Sequence, residues 1–381
     1  MSMSKSSTSI IIEAFDTLFF RDARPFSMGD DTWADGVFPP SPTVVHGALR
    51  TGYFAKHIEQ FPHAGSTTDD PTGTLRINKI CYRVRPGNLF YYPAPLDFVE
   101  RKDKLLKERV NECVHKRYSV EKLKLVMNED GYSSLDDNKL GMLRHEVEVE
   151  PVENGLIDVN GLTNYLCYGS LCNVIKLSDY VCKEPKVGIG RDDVTRTSGD
   201  TGKLYRVGLQ RLASKSGNNR IDIVVGLEDL PMGVSGLLRL GAEGKCVSYS
   251  AKPIPDIDIS PLCKSENNRF KLYFLTPSVF DKGWIADWME IGEYRGIGFN
   301  FLGASIGKPL SIGGFSLKPP QPKIMRKAVP AGSVYYFELK DGTVKTRFEE
   351  LKNAFHGTSL ADESMCNTQE GYGIAYLGSG V

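Results

Sequence analysis

The hydrophobic pattern of the N-terminal region predicts a strand, a long loop and an amphipathic helix, in that order. Ser9–Phe15 (SIIIEAF) is a β-branched run of the kind found in strands. The loop after it, Arg21–Pro40, is rich in Arg, Asp, Gly and Pro, and the helix that follows has Ser41 as a good N-cap and Pro42 at its first position. Apolar residues recur in this helix at helical spacing, so its packed face is expected to hold Val45, Ala48, Leu49 and Gly52, with His46, Arg50 and His57 on another side.

Most of the remaining pattern predicts strands. These are Ile77–Val84, Leu89–Pro93, Leu204–Leu212, Arg220–Leu227, Lys245–Ser250, Phe270–Leu275, Ser333–Leu339 and Gly371–Leu377. Thr276 is expected to cap a short helix at Pro277–Phe280, and Thr343–Phe355 is an amphipathic helix stopped by Gly357. We expect two α+β halves that meet near residues 180–205. Their order suits ferredoxin-like units better than a doubly wound sheet with regular βα alternation.

Two segments depart from this pattern. From Asp97 to Gly155 charges dominate and aromatics thin out, which indicates an insertion. We expect it to carry a helix around Arg101–Tyr118, with a solvated charged face, and then a mobile segment, NEDGYSSLDDNK. The second segment, Val187–Tyr205, has Gly at 188, 190, 199 and 202 and four Ser or Thr, which predicts a long hairpin outside the packed body.

Length and charge exclude several classes of protein. The chain has 381 residues with 47 Lys plus Arg and 47 Asp plus Glu, so its formal charge is zero and it forms two domains or one large one. A zero balance argues against a protein that coats DNA through a uniform excess of cations, but not against a local basic groove. No apolar run approaches the roughly 20 residues of a membrane span, and no secretory signal is visible. We therefore expect a cytoplasmic protein.

The cysteines, histidines and carboxylates indicate no metal or cofactor site. The eight Cys form no C-x-x-C pair and the six His form no H-x-x-x-H pair, which are the spacings that zinc sites and metal enzymes use. Reduced, packed thiols are the expectation. The adjacent pairs Asp30-Asp31 and Asp192-Asp193 point to opposite sides in an extended chain, so they do not converge on one ion. We predict no metal, no cofactor and no paired-carboxylate active site.

The neutral total hides segregated charge. Lys186–Arg220 has eight basic and three acidic residues, a net +5, and Gly303–Pro330 has five basic and none acidic, again +5. Glu349–Val381 has one basic and five acidic residues, a net −4. Both basic windows are rich in Gly, Ser, Thr and Pro, and such loops hold phosphates through exposed N–H groups, hydroxyls and cations. Taken alone, they could equally be flexible loops whose charges keep the surface soluble.

Six blocks of sequence, in order, resemble one family. They are LFFRDARPFSMGDD with FPPSPTVVHGALRTGYF (18–54), FYYPAPLDFV (90–99), VGIGRDDVTRTSGDTGKLYR (187–206), KLYFLTPSVFDKGW (271–284), RKAVPAGSVYYFEL (326–339) and GYGIAYLGSG (371–380). On these blocks the chain resembles the Cas5-like RAMP subunit of type III-B CRISPR effectors, the third subunit of the Cmr module. The resemblance covers essentially the whole chain, and the insertion at about 101–155 is its least matched part.

This resemblance implies a non-catalytic RNA-binding subunit of an antiviral ribonucleoprotein. The family builds two ferredoxin-like, RRM-related domains, which here would be 1–185, including the insertion, and 207–381, with a thumb-like hairpin at 186–206. Its members bind the repeat-derived 5′ handle of the CRISPR RNA. They lie beside the large polymerase/cyclase subunit and the first backbone subunit, and meet target RNA only indirectly. Basic, Gly-rich loops on a sheet suit single-stranded RNA, which is held by phosphate contacts and base stacking.

The resemblance and the basic windows together give three groups of candidate RNA contacts. The hairpin, expected to pass between bases of the guide, contributes Arg191, Thr195, Arg196, Thr197, Lys203 and Tyr205. The first loop and helix contribute Arg21, Arg24, Pro25, Phe26, Thr43, His46 and Arg50. The third group is Lys308, Lys323, Arg326, Lys327, Gly332 and Ser333. The Gly-rich C-terminal loop of RAMP proteins is matched by Gly371, Gly373 and Gly378, although backbone crowding in a tight strand explains these glycines equally well.

Two other functions stay open. An endoribonuclease that processes precursor CRISPR RNA needs a general base, for which His46, expected to be exposed one turn from Arg50, is the candidate. A protein-only scaffold subunit would instead use the basic loops to meet acidic partners. Charge reversal at Arg196 or Lys327 separates the cases, because a scaffold loses assembly whereas an RNA-binding subunit loses salt-sensitive RNA retention.

Overall fold

Strands dominate the structure, a computed structural model that describes residues 7–21, 33–66, 68–102, 116–127, 140–189, 195, 197, 204–215, 217–230, 232–317 and 320–380. Four helices lie in these ranges: α1 (Pro42–Lys56), α2 (Val159–Tyr168), α3 (Asp287–Ile291) and α4 (Phe348–Phe355). The strands up to Ala251 are β1 (Ser7–Ala14), β2 (Trp33–Asp35), β3 (Arg76–Arg85), β4 (Leu89–Pro93), β5 (Phe98–Arg101), β6 (Glu121–Lys122), β7 (Lys124–Val126), β8 (Met142–Arg144), β9 (Val149–Pro151), β10 (Gly155–Asp158), β11 (Ile175–Lys176), β12 (Cys182–Ile189), β13 (Leu204–Arg211), β14 (Arg220–Glu228), β15 (Ser235–Arg239) and β16 (Cys246–Ala251). Those after it are β17 (Arg269–Phe274), β18 (Glu293–Tyr294), β19 (Ile297–Ser305), β20 (Leu310–Ile312), β21 (Phe315–Leu317), β22 (Pro320–Pro322), β23 (Arg326–Ala328), β24 (Val334–Leu339), β25 (Thr358–Ser359) and β26 (Ile374–Ser379). The α+β class predicted from the sequence is confirmed.

An eight-stranded sheet forms the first body, with strand order β11-β10-β4-β3-β14-β1-β16-β15. β1 lies inside it, antiparallel to both β14 and β16. Alternate residues of a strand point to opposite faces, so Ile10 and Ile12 belong to the core under α1, whereas Ile11 belongs to the core shared with the second sheet. Burial on both faces explains why β1 is an unbroken β-branched run.

A six-stranded sheet forms the second body, with strand order β18-β19-β24-β17-β26-β25. Its main elements follow one another as β17, α3, β19, β24, α4 and β26, and β17 pairs antiparallel with both β24 and β26. Aromatic rings fill the space beneath α4: Phe270 stacks on Phe337 at 5.1 Å and on Phe355 at 5.8 Å between ring centroids.

A buried polar group ties the two bodies together. The carboxylate of Asp97 is fully buried and accepts hydrogen bonds from the hydroxyls of Tyr165 (2.8 Å) and Tyr336 (2.6 Å). The ammonium of Lys271, on β17, donates to the carbonyl oxygen of Tyr165 at 2.9 Å, and burial lowers its pKa to about 7. The loop that carries Asp97, helix α2 and the second sheet are therefore held together by side chains that no local sequence pattern reveals.

The sequence predicted that the strands after residues 186–206 belong to the second domain, and for the first three of them this is wrong. β14, β15 and β16 belong to the first sheet, where β14 lies between β1 and β3 and is buried along most of its length. The second sheet begins only at β17. Pairing between strands distant in sequence decides this boundary, and local hydrophobic patterns do not report such pairing.

Two predicted helices differ from the structure. Ser278 and Val329 exchange backbone hydrogen bonds where a helix at Pro277–Phe280 was expected, because the Thr276 hydroxyl accepts from the backbone N–H of Ile374 instead of capping a turn. The C-terminal helix begins at Phe348. Turns stabilised by the hydroxyls of Thr343 and Thr346 precede it.

The insertion contains short strands in its described parts. β5 pairs with β6 and β9, and β7 pairs with β8. Most of the predicted Arg101–Tyr118 helix and the whole of NEDGYSSLDDNK lie outside the described residues.

Candidate nucleic-acid interface

A small sheet joins the predicted hairpin to the N-terminal loop. β12 and β13 pair antiparallel over eight positions, from Cys182 opposite Arg211 to Ile189 opposite Leu204. β2, at the end of the loop, pairs parallel with β13, with Trp33 opposite Arg206. β12 and β13 are therefore the paired strands at the base of the predicted hairpin, and β2 joins them to the first loop, which carries the second group of candidate RNA contacts.

Gly36 makes this junction possible. Its N–H donates to the carbonyl oxygen of Gly208 at 3.1 Å, and a Cβ at Gly36 would lie 2.2 Å from that same oxygen. The buried Gln210 side chain donates to the carbonyl oxygen of Gly36 at 2.7 Å, and Gln210 and Leu18 exchange backbone hydrogen bonds at 2.8 Å. Neither Gly36 nor Gln210 was predicted, although the Asp35-Gly36 pair is a turn signal in the sequence.

Some hairpin and loop candidates lie within the described residues. Thr195 and Thr197 are exposed, with their hydroxyls 2.9 Å apart, and Arg21 is exposed at the start of the loop. The backbone of Tyr205 pairs with Gly188. The remaining candidates of these segments lie outside the described residues, namely Arg24, Pro25, Phe26, Arg191, Arg196 and Lys203.

One cation of this window is already paired within the protein. The guanidinium of Arg211 contacts both carboxylate oxygens of Glu184 on β12 and reaches Asp16 at 3.1 Å. Its hydrogen bond holds the pKa of Glu184 below the ordinary value. Arg211 therefore adds to the basic count of the window but is neutralised by carboxylates of the protein itself.

Helix α1 and the third group meet at a buried carboxylate, Glu370. The Thr43 hydroxyl, in the first turn of α1, donates to Glu370 and lies 3.0 Å from the hydroxyl of Tyr372. The ammonium of Lys323 donates to the other oxygen of Glu370 at 3.1 Å. Pro42 begins the helix as predicted, but Ser41 makes no cap hydrogen bond and contacts Tyr372 instead. The start of a helix favours negative charge, and here Glu370 supplies it.

The other candidates on α1 are more enclosed than expected. His46 is only 6% exposed, against the prediction of an exposed histidine, with its Nε2 3.4 Å from the carbonyl oxygen of Leu75. Burial lowers the pKa of His46. The half-buried guanidinium of Arg50 donates to Asp70 and, at 2.8 Å, to Thr72. The helix packs closely enough against the loop at 70–75 that both side chains are used inside the fold. The predicted packed face of α1 is buried.

Gly332 and Ser333 belong to the interior, which corrects their assignment as RNA contacts. Ser333 is fully buried, and its hydroxyl donates to the carbonyl oxygen of Pro330 at 2.7 Å. A Cβ at Gly332, whose φ is +88°, would lie 2.4 Å from the carbonyl oxygen of Ala94. The turn they form aligns β24 with β17. Lys308 and Lys327 of the same group are exposed.

The C-terminal glycines are buried and crowded by neighbouring backbone and side chains. A Cβ would lie 2.8 Å from Ile77 at Gly371, 2.4 Å from Ala361 at Gly373 and 3.0 Å from Leu166 at Gly378. Of the two explanations left open by the sequence, the structure favours the crowded strand.

A cleft of about 710 Å³ between the two sheets is lined by both signs of charge, including Lys79, Lys252, Glu228 and Asp256. Among the described residues, no three His, Cys, Asp or Glu side chains are grouped to hold a metal ion, and no helix has the length and apolarity to span a bilayer.

Comparison with known proteins identifies the family. The model of the CRISPR-associated protein family Cas_Cmr3 matches residues 10–380. The chain belongs to this family. The resemblance to the third, Cas5-like subunit of the type III-B Cmr module is thereby confirmed for a member of the Cas_Cmr3 family.

Solved structures similar to this Cas_Cmr3 family member include two chains of type III-B Cmr-beta complexes. One is from a complex bound to cognate target RNA and AMPPnP, with 16% identity, 91% of this chain and 88% of that chain covered, and a TM-score of 0.46. The other is from a complex bound to cognate target RNA, with 15% identity, coverages of 91% and 89%, and a TM-score of 0.46. No curated protein matches the chain.

Proposed function

We propose that this member of the Cas_Cmr3 family binds the repeat-derived 5′ handle of the CRISPR RNA within a type III-B effector and does not cleave it. The observation that carries the proposal is the β12-β13-β2 sheet, which places the base of the basic hairpin beside the end of the basic first loop. RNA held at that sheet would contact the candidates of the first loop, Arg21, Arg24, Pro25 and Phe26, and those of the hairpin, Arg191, Thr195, Arg196, Thr197, Lys203 and Tyr205. Phosphates and splayed bases of single-stranded RNA suit such a surface.

The proposal extends to fold and partners. The β-α-β-β-α-β order of the second sheet supports a ferredoxin-like, RRM-related C-terminal domain. Membership of the Cas_Cmr3 family supports docking beside the large polymerase/cyclase subunit and the first backbone subunit, with target RNA met only through the complex.

Endoribonuclease activity is disfavoured by the position of His46. A general base has to reach the 2′-hydroxyl of its substrate. The imidazole of His46 is instead enclosed between α1 and the loop at Leu75. Site-specific cleavage of precursor repeat RNA without metal, lost in His46→Ala, would contradict the non-catalytic assignment.

Arg196→Glu tests the RNA assignment directly. The variant should bind handle RNA about tenfold more weakly at low salt. The slope of log affinity against log salt concentration should fall by about one unit, because one phosphate contact is lost. Lys215→Glu is the matched control, because it makes the same charge change at an exposed turn beyond β13. Equal affinities of both variants at low salt would remove the hairpin from the RNA-binding surface.

A further inference from the structure

Aliphatic side chains are exposed along the segment Ile306–Lys327, called here the docking segment. The exposed fractions are 38% for Ile306, 43% for Leu310, 75% for Ile324 and 49% for Met325. Single exposed aliphatic residues are common on soluble proteins, but several on one short stretch mark a surface that another molecule covers.

The docking segment folds back on itself, so its first strand lies beside its last. β20 pairs antiparallel with β23, with Leu310 opposite Ala328 and Ile312 opposite Arg326. Ile324 lies four residues before Ala328, the partner of Leu310, a span of at most about 13 Å. The exposed Leu310 and Ile324 therefore lie close enough for one partner to cover both.

The docking segment is also anchored to the body. Lys323 is held by Glu370, and its backbone N–H donates to the carbonyl oxygen of Gly314 at 2.9 Å. The guanidinium of Arg326 lies 2.6 Å from the sulfur of Met365. These contacts give the exposed aliphatic residues a defined arrangement in the free protein.

The charges around these residues select the kind of partner. Gly303–Pro330 contains no acidic residue, and Lys308 and Lys327 are exposed beside the aliphatic residues. Two of the carboxylates in the loop at 362–370 are occupied within the protein, because Glu370 binds Lys323 and Asp362 accepts hydrogen bonds from Ser364, whereas Glu363 is exposed. An apolar centre with a basic rim matches an apolar surface with an acidic rim.

We propose that the docking segment binds a protein subunit that presents apolar side chains within a ring of Asp and Glu, and that it does not bind the CRISPR RNA. RNA offers phosphates and flat bases, and bases gain most from aromatic platforms. Ile and Met side chains gain most from packing against apolar protein. This inference rests on the proposed function only because it takes the partner from the same effector complex. It assigns the exposed cations of the third group to a protein contact instead of an RNA contact.

A photo-cross-linking amino acid at the position of Ile324 tests the inference in the assembled complex. The effector is produced by co-expressing all subunits of one type III-B locus with a CRISPR RNA, and the cross-linked product is identified by mass spectrometry. We expect one protein subunit to be captured at its acidic surface. Capture of the RNA, or capture of nothing, overturns the inference. The same group at Val234, which is 80% exposed and far away in sequence on the first sheet, is the control.

Substitution gives a second, independent measurement. Ile324→Ser with Met325→Ser should lower recovery of the partner subunit about fivefold while handle affinity of the isolated chain stays unchanged. Ile58→Ser with Val234→Ser removes aliphatic residues elsewhere that are at least as exposed as Met325 and should leave assembly intact. Undiminished assembly, or a loss of RNA affinity alone, contradicts the inference. Arg196→Glu tests the proposed function separately. If this variant binds RNA as tightly as the unaltered protein, the proposed function is contradicted, while the cross-link at Ile324 still reports on the docking segment.

Discussion

The hairpin window and the docking segment carry the same net charge in sequence but are built differently. Lys186–Arg220 contains β13 and the end of β12, which are joined to the first loop, and its Arg211 is paired with Glu184 and Asp16 at the base of the hairpin. Gly303–Pro330 is anchored to α1 and the C-terminal loop through Lys323 and exposes aliphatic residues beside its cations. Equal charge therefore does not mean equal function, because the surroundings decide what the cations can contact.

Gly36→Ala should have the largest effect of the substitutions considered, and it should act on the hairpin and not on the docking segment. The new methyl group would lie 2.2 Å from the carbonyl oxygen of Gly208, so β2 has to leave β13. We expect a loss of about 2 kcal/mol in the free energy of unfolding, together with weaker handle binding, because the first loop and the hairpin separate. Urea denaturation and RNA titration measure the two effects.

Gly47→Ala is the control for that substitution, since a Cβ there meets no atom within 4 Å. It should be neutral or slightly stabilising in the exposed interior of α1. A Gly36→Ala protein as stable as this control would disprove the tight junction.

Charge reversal in the two windows should give opposite phenotypes. Arg196→Glu should cost about 1.4 kcal/mol of handle binding, a tenfold change, and leave subunit assembly intact. Lys327→Glu should weaken assembly and leave handle affinity nearly unchanged, because Lys327 lies on the rim of the docking segment. Fluorescence titration of labelled RNA measures handle affinity, and subunit stoichiometry measures assembly. An identical loss of RNA affinity in both variants would show that both regions bind RNA.

Glu370→Gln should loosen the docking segment by a smaller amount. The variant keeps a partner for Thr43 but removes the charge that holds Lys323, whose side chain is 41% exposed. We expect a cost of about 1 kcal/mol, with faster amide hydrogen exchange at 320–328 and no change at β12 and β13. Glu363→Gln, in an exposed position of the same acidic loop, serves as the control. Unchanged exchange at 320–328 would show that Lys323 does not anchor the segment.

Lowering the pH should produce the smallest of these effects, a decrease in the free energy of unfolding that comes from His46 on α1. Burial lowers the pKa of His46 in the folded state, while Glu370, Arg50 and Lys323 also act on its charge. The unfolded chain therefore takes up this proton at a higher pH, near 6.5, so the contribution of His46 to stability is present above that pH and declines as the pH falls below it.

Urea unfolding between pH 7.5 and 5 measures this decline. His46→Asn should make the dependence shallower, although His356, whose pKa burial lowers to about 4, keeps part of it in the variant. The same slope in both proteins would contradict a contribution from His46.

Much of the fold was predictable because local patterns report burial. The packed face of α1 and the positions of β3, β4, β13, β14 and β17 follow from apolar spacing and β-branched runs. The failed helix at Pro277–Phe280 shows the limit of this approach. A Thr-Pro signal predicts a cap only while the Thr hydroxyl has no distant partner, and here Ile374 provides one.

The candidate site was predictable in part for the same reason. Basic, Gly-rich composition located both windows, and the six blocks located the family. Composition could not show that Ser333 and His46 are buried, or that Lys323 is bound to Glu370 across 47 residues. Such contacts depend on which elements pack together.

By itself, the sequence determined the α+β class, the family, the hairpin and the positions of the two basic windows, because each depends on residue types within a short span. Only the tertiary structure decided where the sheets divide, which described cations are already paired and which aliphatic residues are exposed. Those outcomes are set by the pairing of distant strands and by side chains such as Gln210 and Glu370, which gain a partner only when the chain has folded.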